Sequence, residues 1–153
     1  MQLTLTRDTP HQELWLGTLE VAGRKFHTLE PADCLPPGTY RLRQHQRPNG
    51  EHCYALVSPQ LGVYHQPYDI PPSRQKTARF LALVHAGNYW WDANAVALGK
   101  DRVLDVIRGS AATFRTWKMA ETKSAMNELR TLIGMKFDVA VTIVSSMEAQ
   151  AIG

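Results

Sequence analysis

TLEVAGRKFHTLE, residues Thr18 to Glu30, decides how the first two thirds of the chain is read. Two runs, TLEV and KFHTLE, flank Ala22-Gly23-Arg24, a turn-forming triplet between segments of β type. Upstream, Leu14, Leu16 and Leu19 recur around Gly17, and Leu3 to Thr6 alternate apolar with polar, the patterning of half-buried strands. Downstream, Pro36-Pro37-Gly38 marks a second turn and leads into a strand from Thr39 to Gln44. Arg47-Pro48-Asn49-Gly50 marks a third, with Asn-Gly the strongest short hairpin signal, and His52 to Ser58 returns with Tyr54 and Leu56 on one face.

Beyond this the pattern changes. Gln60 to Gln75 is rich in Pro and Tyr and has no period; a structured loop of that length tends to carry function. Arg79 to Val84 is apolar on both faces, as a central strand is. Arg102 to Ile107 reads as a short helix. From an N-cap at Ser110, the residues Phe114, Trp117, Ala125, Met126, Leu129, Leu132 and Ile133 recur at helical spacing up to Gly134. That predicts one amphipathic helix of about twenty residues, over 111–133. Phe137 to Val144 alternates again as a closing strand. The expected fold is a single β-rich α+β domain over 1–153. It has a mixed or antiparallel sheet, or small barrel, and one long amphipathic C-terminal helix.

Composition narrows the function classes. The chain has 153 residues, enough for one sizeable core, with 44% hydrophobic and 20% charged residues. A net charge of +3, with no Lys/Arg run longer than two, gives no footprint for nucleic acid. The N-terminus lacks the charged and apolar regions of a signal peptide, and no apolar run approaches the ~18 residues of a membrane span, so a cytoplasmic protein is expected. Cys34 and Cys53 have no CxxC spacing; a disulfide between them stays open.

The chemistry concentrates between Phe80 and Gly99, FLALVHAGNYWWDANAVALG. His85 ends a buried run and is followed by Ala86-Gly87-Asn88. Gly87 permits positive φ or close approach of a ligand, and Asn88 both donates and accepts hydrogen bonds. Asp92 follows Tyr89-Trp90-Trp91. His85 with Asp92 is a candidate base and its orienting carboxylate; Gly87, Asn88, Tyr89, Trp90, Trp91 and Arg79 are candidate ligand contacts. The bland alternatives are a core histidine with a satisfied hydrogen bond and aromatics that simply pack. His65, His85 and Asp92 have no metal-ligand spacing, and neither metal nor cofactor is expected. Arg74, Lys76 and Arg79 could meet a phosphate or line a solvated loop.

Residues 3 to about 115 resemble a family of small phage and prophage proteins, a domain family of unknown function. The resemblance rests on Thr18-Leu19-Glu20, His27-Thr28-Leu29-Glu30, Cys34 to Tyr40, and above all Leu83-Val84-His85-Ala86-Gly87-Asn88 with Asp92 and Gly99. The family pattern is His-x-Gly-Asn, three residues, Asp, then Gly-Cys-Ile before a Gly. Its His-then-Gly-Cys order is similar to the L,D-transpeptidase signature, where a His-activated Cys thiolate attacks a peptidoglycan stem peptide. Here the chain departs: Ala95-Val96-Ala97 stands where Gly-Cys-Ile is expected.

The resemblance therefore implies a phage-type protein with a transpeptidase-like pocket that has lost its nucleophile. Such a protein would act by binding a small ligand, a cell-wall fragment, or a host or phage protein. The alternative is a peptidoglycan-processing enzyme with His85 as general base, working through water or a hydroxyl such as Ser58 or Tyr89.

Overall fold

The computed structural model describes residues 1–11, 13–90, 94–108 and 113–145. Its strands are β1 (Gln2–His11), β2 (Leu14–Val21), β3 (Arg24–Pro31), β4 (Gly38–Gln46), β5 (His52–Val57), β6 (Val63–Tyr64), β7 (Arg79–Phe80), β8 (Leu83–Ala86), β9 (Val96–Gly99), β10 (Asp101–Arg108), β11 (Thr113–Ala120) and β12 (Ala140–Ser145); the helix is α1 (Thr122–Ile133). Eight strands close into a barrel in the order β1-β12-β4-β5-β8-β9-β3-β2. β1 with β12 and β8 with β9 are parallel and the other neighbours antiparallel, so the sheet is mixed.

The hairpins form where turn chemistry puts them. Ala22 and Gly23 have φ of 48° and 79°, the left-handed pair that a two-residue loop needs, and they set Val21 opposite Arg24. Gly50, with φ of 88°, turns the chain between β4 and β5. Alternation then sends one side of every strand inward. Leu3, Leu5, Leu19, Phe26, Leu42, Leu56, Val84, Leu98, Val141 and Ile143 belong to one buried cluster. α1 lays Ala125, Met126, Leu129 and Ile133 onto that cluster and runs beside β8 and β9. Also buried is a bidentate ion pair, Arg7 Nε and Nη2 donating to Glu30 at 3.1 and 2.8 Å.

Four expectations are corrected. Arg102 to Ile107 is not a helix but part of strand β10, paired in register with β11. Its β-branched Val103, Val106 and Ile107 suit a strand, and the partner supplies the hydrogen bonds. The helix is 12 residues, Thr122–Ile133, rather than about twenty. Phe114 and Trp117, three apart, fit a helical period by accident and lie on β11; Ser110 lies outside the described residues. The run Arg79 to Val84 is broken at Leu81, φ 50°, so that β7 pairs with β6 outside the barrel and β8 enters it. The closing strand, expected over 137–144, is Ala140–Ser145.

β10 and β11 form a two-stranded arm outside the barrel wall. Met119, with Trp90 and Trp117, packs there on Leu14, Leu16, Leu29 and Ala97 in a second, smaller cluster. No described helix is long and apolar enough to cross a membrane.

Candidate functional site

His85 sits on β8 between two registers. Val84 faces Tyr54 of β5 and Val96 of β9 inside the barrel, while His85 stands opposite Ala97 on the outward side. On β5, Cys53 precedes the Tyr54 that pairs with Val84 and belongs to the large buried cluster. The imidazole is nonetheless buried, with 6% of the residue exposed. A Cβ on Gly87 would stand 2.5 Å from its Cε1 and 3.1 Å from both ring nitrogens. That is the physical reason for the spacing His-x-Gly: the ring folds over position 87, and only glycine leaves room.

Among the described residues, two groups address Nδ1 of His85. The Ala86 carbonyl oxygen lies at 3.2 Å and the Arg47 Nη1 at 3.4 Å. A carbonyl only accepts and a guanidinium only donates, so Nδ1 serves one at a time and its tautomer follows the choice. Arg47 also reaches Glu51 Oε2 at 3.5 Å; the other carboxylate oxygen, Oε1, is buried without a hydrogen-bond partner.

Neither thiol is prepared for attack. Burial, reinforced by the Glu51 carboxylate, pushes the Cys53 thiol up to about 11, and no hydrogen bond joins it to His85 among the described residues. Burial likewise raises Cys34. A reactive cysteine needs the opposite shift. Both cysteines are free. On β9 the residue across from His85 is Ala97, and Ala95, Val96 and Ala97 carry no nucleophile.

The other predicted residues divide. Asn88 is exposed and borders a cleft of about 640 Å³ between the Asn49–His52 turn, the end of β8 and α1. The Tyr89 hydroxyl donates to Asp105 at 2.8 Å, and Trp90 Nε1 donates to Thr116 Oγ1 at 2.8 Å. Both bonds tie the arm to the barrel. Arg79 is also committed elsewhere, donating to the Asp33 carbonyl and carboxylate at 3.0 and 2.9 Å, and Arg74 donates to the Pro59 carbonyl. His65 meets His45, nitrogen to nitrogen at 3.1 Å. Trp91 and Asp92 lie outside the described residues.

Sequence reasoning missed the far wall of the cleft. Thr122, Lys123, Met126, Asn127 and Arg130 line it from α1, more than thirty residues beyond Asn88. The signal present was their spacing, which repeats every three or four residues along one helical stripe.

No protein-family model matches the chain, and no curated protein or solved structure is detectably similar to it.

Proposed function

We propose that the chain is a catalytically silent binding protein of the phage and prophage type it resembles. In this reading it acts in the cytoplasm of the producing or infected cell, gripping a small ligand, cell-wall fragment or partner protein at the turn that follows His85. The observation that carries the reading is that Ala97 faces the imidazole on β9, where a nucleophile would be needed, and that burial holds the Cys53 thiol on β5 up at about 11. A transpeptidase-type step needs a thiolate at that place. The cleft beside Asn88 offers the surface such a protein would use, and its volume falls in the range of small-molecule sites.

The competing reading is a peptidoglycan-processing enzyme with His85 as general base. In its favour, a bond from Nδ1–H to the Ala86 carbonyl would make Nε2 the basic nitrogen. Incubation of purified wild type and His85→Ala with peptidoglycan, followed by mass spectrometry of the muropeptides, separates the two. The binding reading expects the untreated profile from both. New muropeptides from the wild type alone would replace it with the enzyme.

A further inference from the structure

The cleft beside Asn88 has a chemistry of its own, built from three elements that the sequence keeps apart. The β4–β5 turn contributes the Asn49 amide, the end of β8 contributes Asn88, and α1 contributes Asn127 with the cations Lys123 and Arg130. Each primary amide offers donors and an acceptor oxygen, the oxygen of Asn49 already accepting from the Glu51 N–H at 3.0 Å, and such groups match the alternating N–H and C=O groups of an extended peptide. Phe, Tyr and Trp are absent from its described lining, so nothing of that kind would stack a nucleobase. Glu51 also borders the cleft, and its Oε2 faces Arg47. Lys123 and Arg130 form no ion pair with a described acidic side chain. The two cations are seven residues apart on α1, which is ~10 Å along a helix. An extended chain covers that distance in about three residues.

We propose that this cleft takes a short peptide bearing two carboxylates about 10 Å apart, one held by Lys123 and the other by Arg130, with the Asn amides on its backbone. The inference rests on the binding reading above and gives the ligand its chemical class. Two cations at helical spacing measure the ligand's length, so a single-carboxylate peptide or a free phosphate satisfies only half the site.

Calorimetric titration of the whole protein with acetyl-Glu-Ala-Ala tests this. The peptide carries a side-chain and a C-terminal carboxylate. Saturable binding with Kd below about 1 mM is expected, weakened roughly tenfold when the C-terminus is amidated. Lys123→Gln and Arg130→Gln should each weaken the diacid roughly tenfold. Against the amidated peptide, one of the two substitutions should lose its effect, because its partner is gone. Both side chains lie on the helix's outer stripe, and an unchanged melting curve checks that the variants fold. Equal affinity for diacid and amide, no response to either substitution, or no saturable binding would each overturn the proposal. The muropeptide assay reads something different: turnover there with the peptide result intact would remove the silent reading and leave the cleft's ligand class standing.

Discussion

The barrel and the arm are both β-structure, yet they are stabilised in opposite ways. Around the barrel every strand has two neighbours, and its inward side chains share one core with α1. The arm has two strands and two edges, and Val103, Leu104, Val106 and Phe114 are each at least 40% exposed. A lone two-stranded ribbon is marginal in water. What holds this one is its root: Met119 and Trp117 on the barrel's outer surface, the Tyr89 and Trp90 bonds, and a backbone bond from Met119 N–H to the Asn88 carbonyl at 2.8 Å. The arm also guards its free edge. Asp101 and Asp105 accept hydrogen bonds from the next residue's own N–H, Arg102 at 2.8 Å and Val106 at 2.9 Å. Those two donors are thereby occupied, which discourages an incoming strand. The contrast predicts that the barrel sets global stability and that the arm opens locally on its own account.

The largest effect belongs inside the barrel. Glu30→Gln strips the counter-charge from Arg7, and the side chains of both are at most 3% exposed. A loss of about 3–5 kcal/mol of global stability by denaturant unfolding is expected, because an unpaired guanidinium is left in the core. Replacing both, Arg7→Met with Glu30→Leu, should restore most of it; a double variant as weak as the single one would mean the pair is itself stabilising. Next comes Leu129→Ala, which opens a cavity where α1 meets the barrel core. It should cost ~3 kcal/mol. A loss under 1 kcal/mol would mean that the helix is peripheral to the barrel's cooperative unit.

The same contrast explains what the sequence made legible. The barrel hairpins were readable because period-two alternation and the turn residues at Ala22-Gly23 and Asn49-Gly50 agree. The arm was misread because it lacks a clean buried face. Val103, Leu104, Val106 and Ile107 are spaced as on a helix, and the register with β11 that makes them a strand is tertiary information. Of the cleft's lining, Asn88 was legible from its place after the strand end at His85. Lys123, Asn127 and Arg130 were not, since a stripe of polar residues on a helix looks the same whether it faces water or a cleft. That Asp105 and Thr116 receive the Tyr89 and Trp90 hydrogen bonds was not legible either, because those pairings too are tertiary.

A smaller and more local effect is expected at the root of the arm. Trp90→Phe keeps the ring and removes the N–H that bonds the buried Thr116. About 1 kcal/mol should be lost. If the arm is a separate unit, the loss appears as faster amide exchange over 101–120 with the barrel's melting temperature unmoved. Equal loss of protection in barrel and arm would show that the two unfold together.

The smallest effect is the one that tests the guarded edge. The Tyr89 hydroxyl, then the Val106 N–H, then Lys118 nearby hold the Asp105 carboxyl below its ordinary value of 3.8. A carboxyl whose value is lowered by folding stabilises the folded arm at any pH above the unfolded value, and that support drains away as pH falls through the lower, folded one. Between pH 7 and about 4 the arm's protection factors should therefore stay level, and below about 4 they should fall while those of the barrel strands hold. Hydrogen exchange across that range measures it, with Asp105→Asn as the control. The amide oxygen still accepts from Val106 N–H, while an NH2 that only donates replaces the oxygen that accepted from Tyr89 and the charge is gone, so the variant should start less protected and respond less to acid. Acid sensitivity unchanged by the substitution would place the weak point elsewhere in the arm and leave Asp105 with no part in holding the edge.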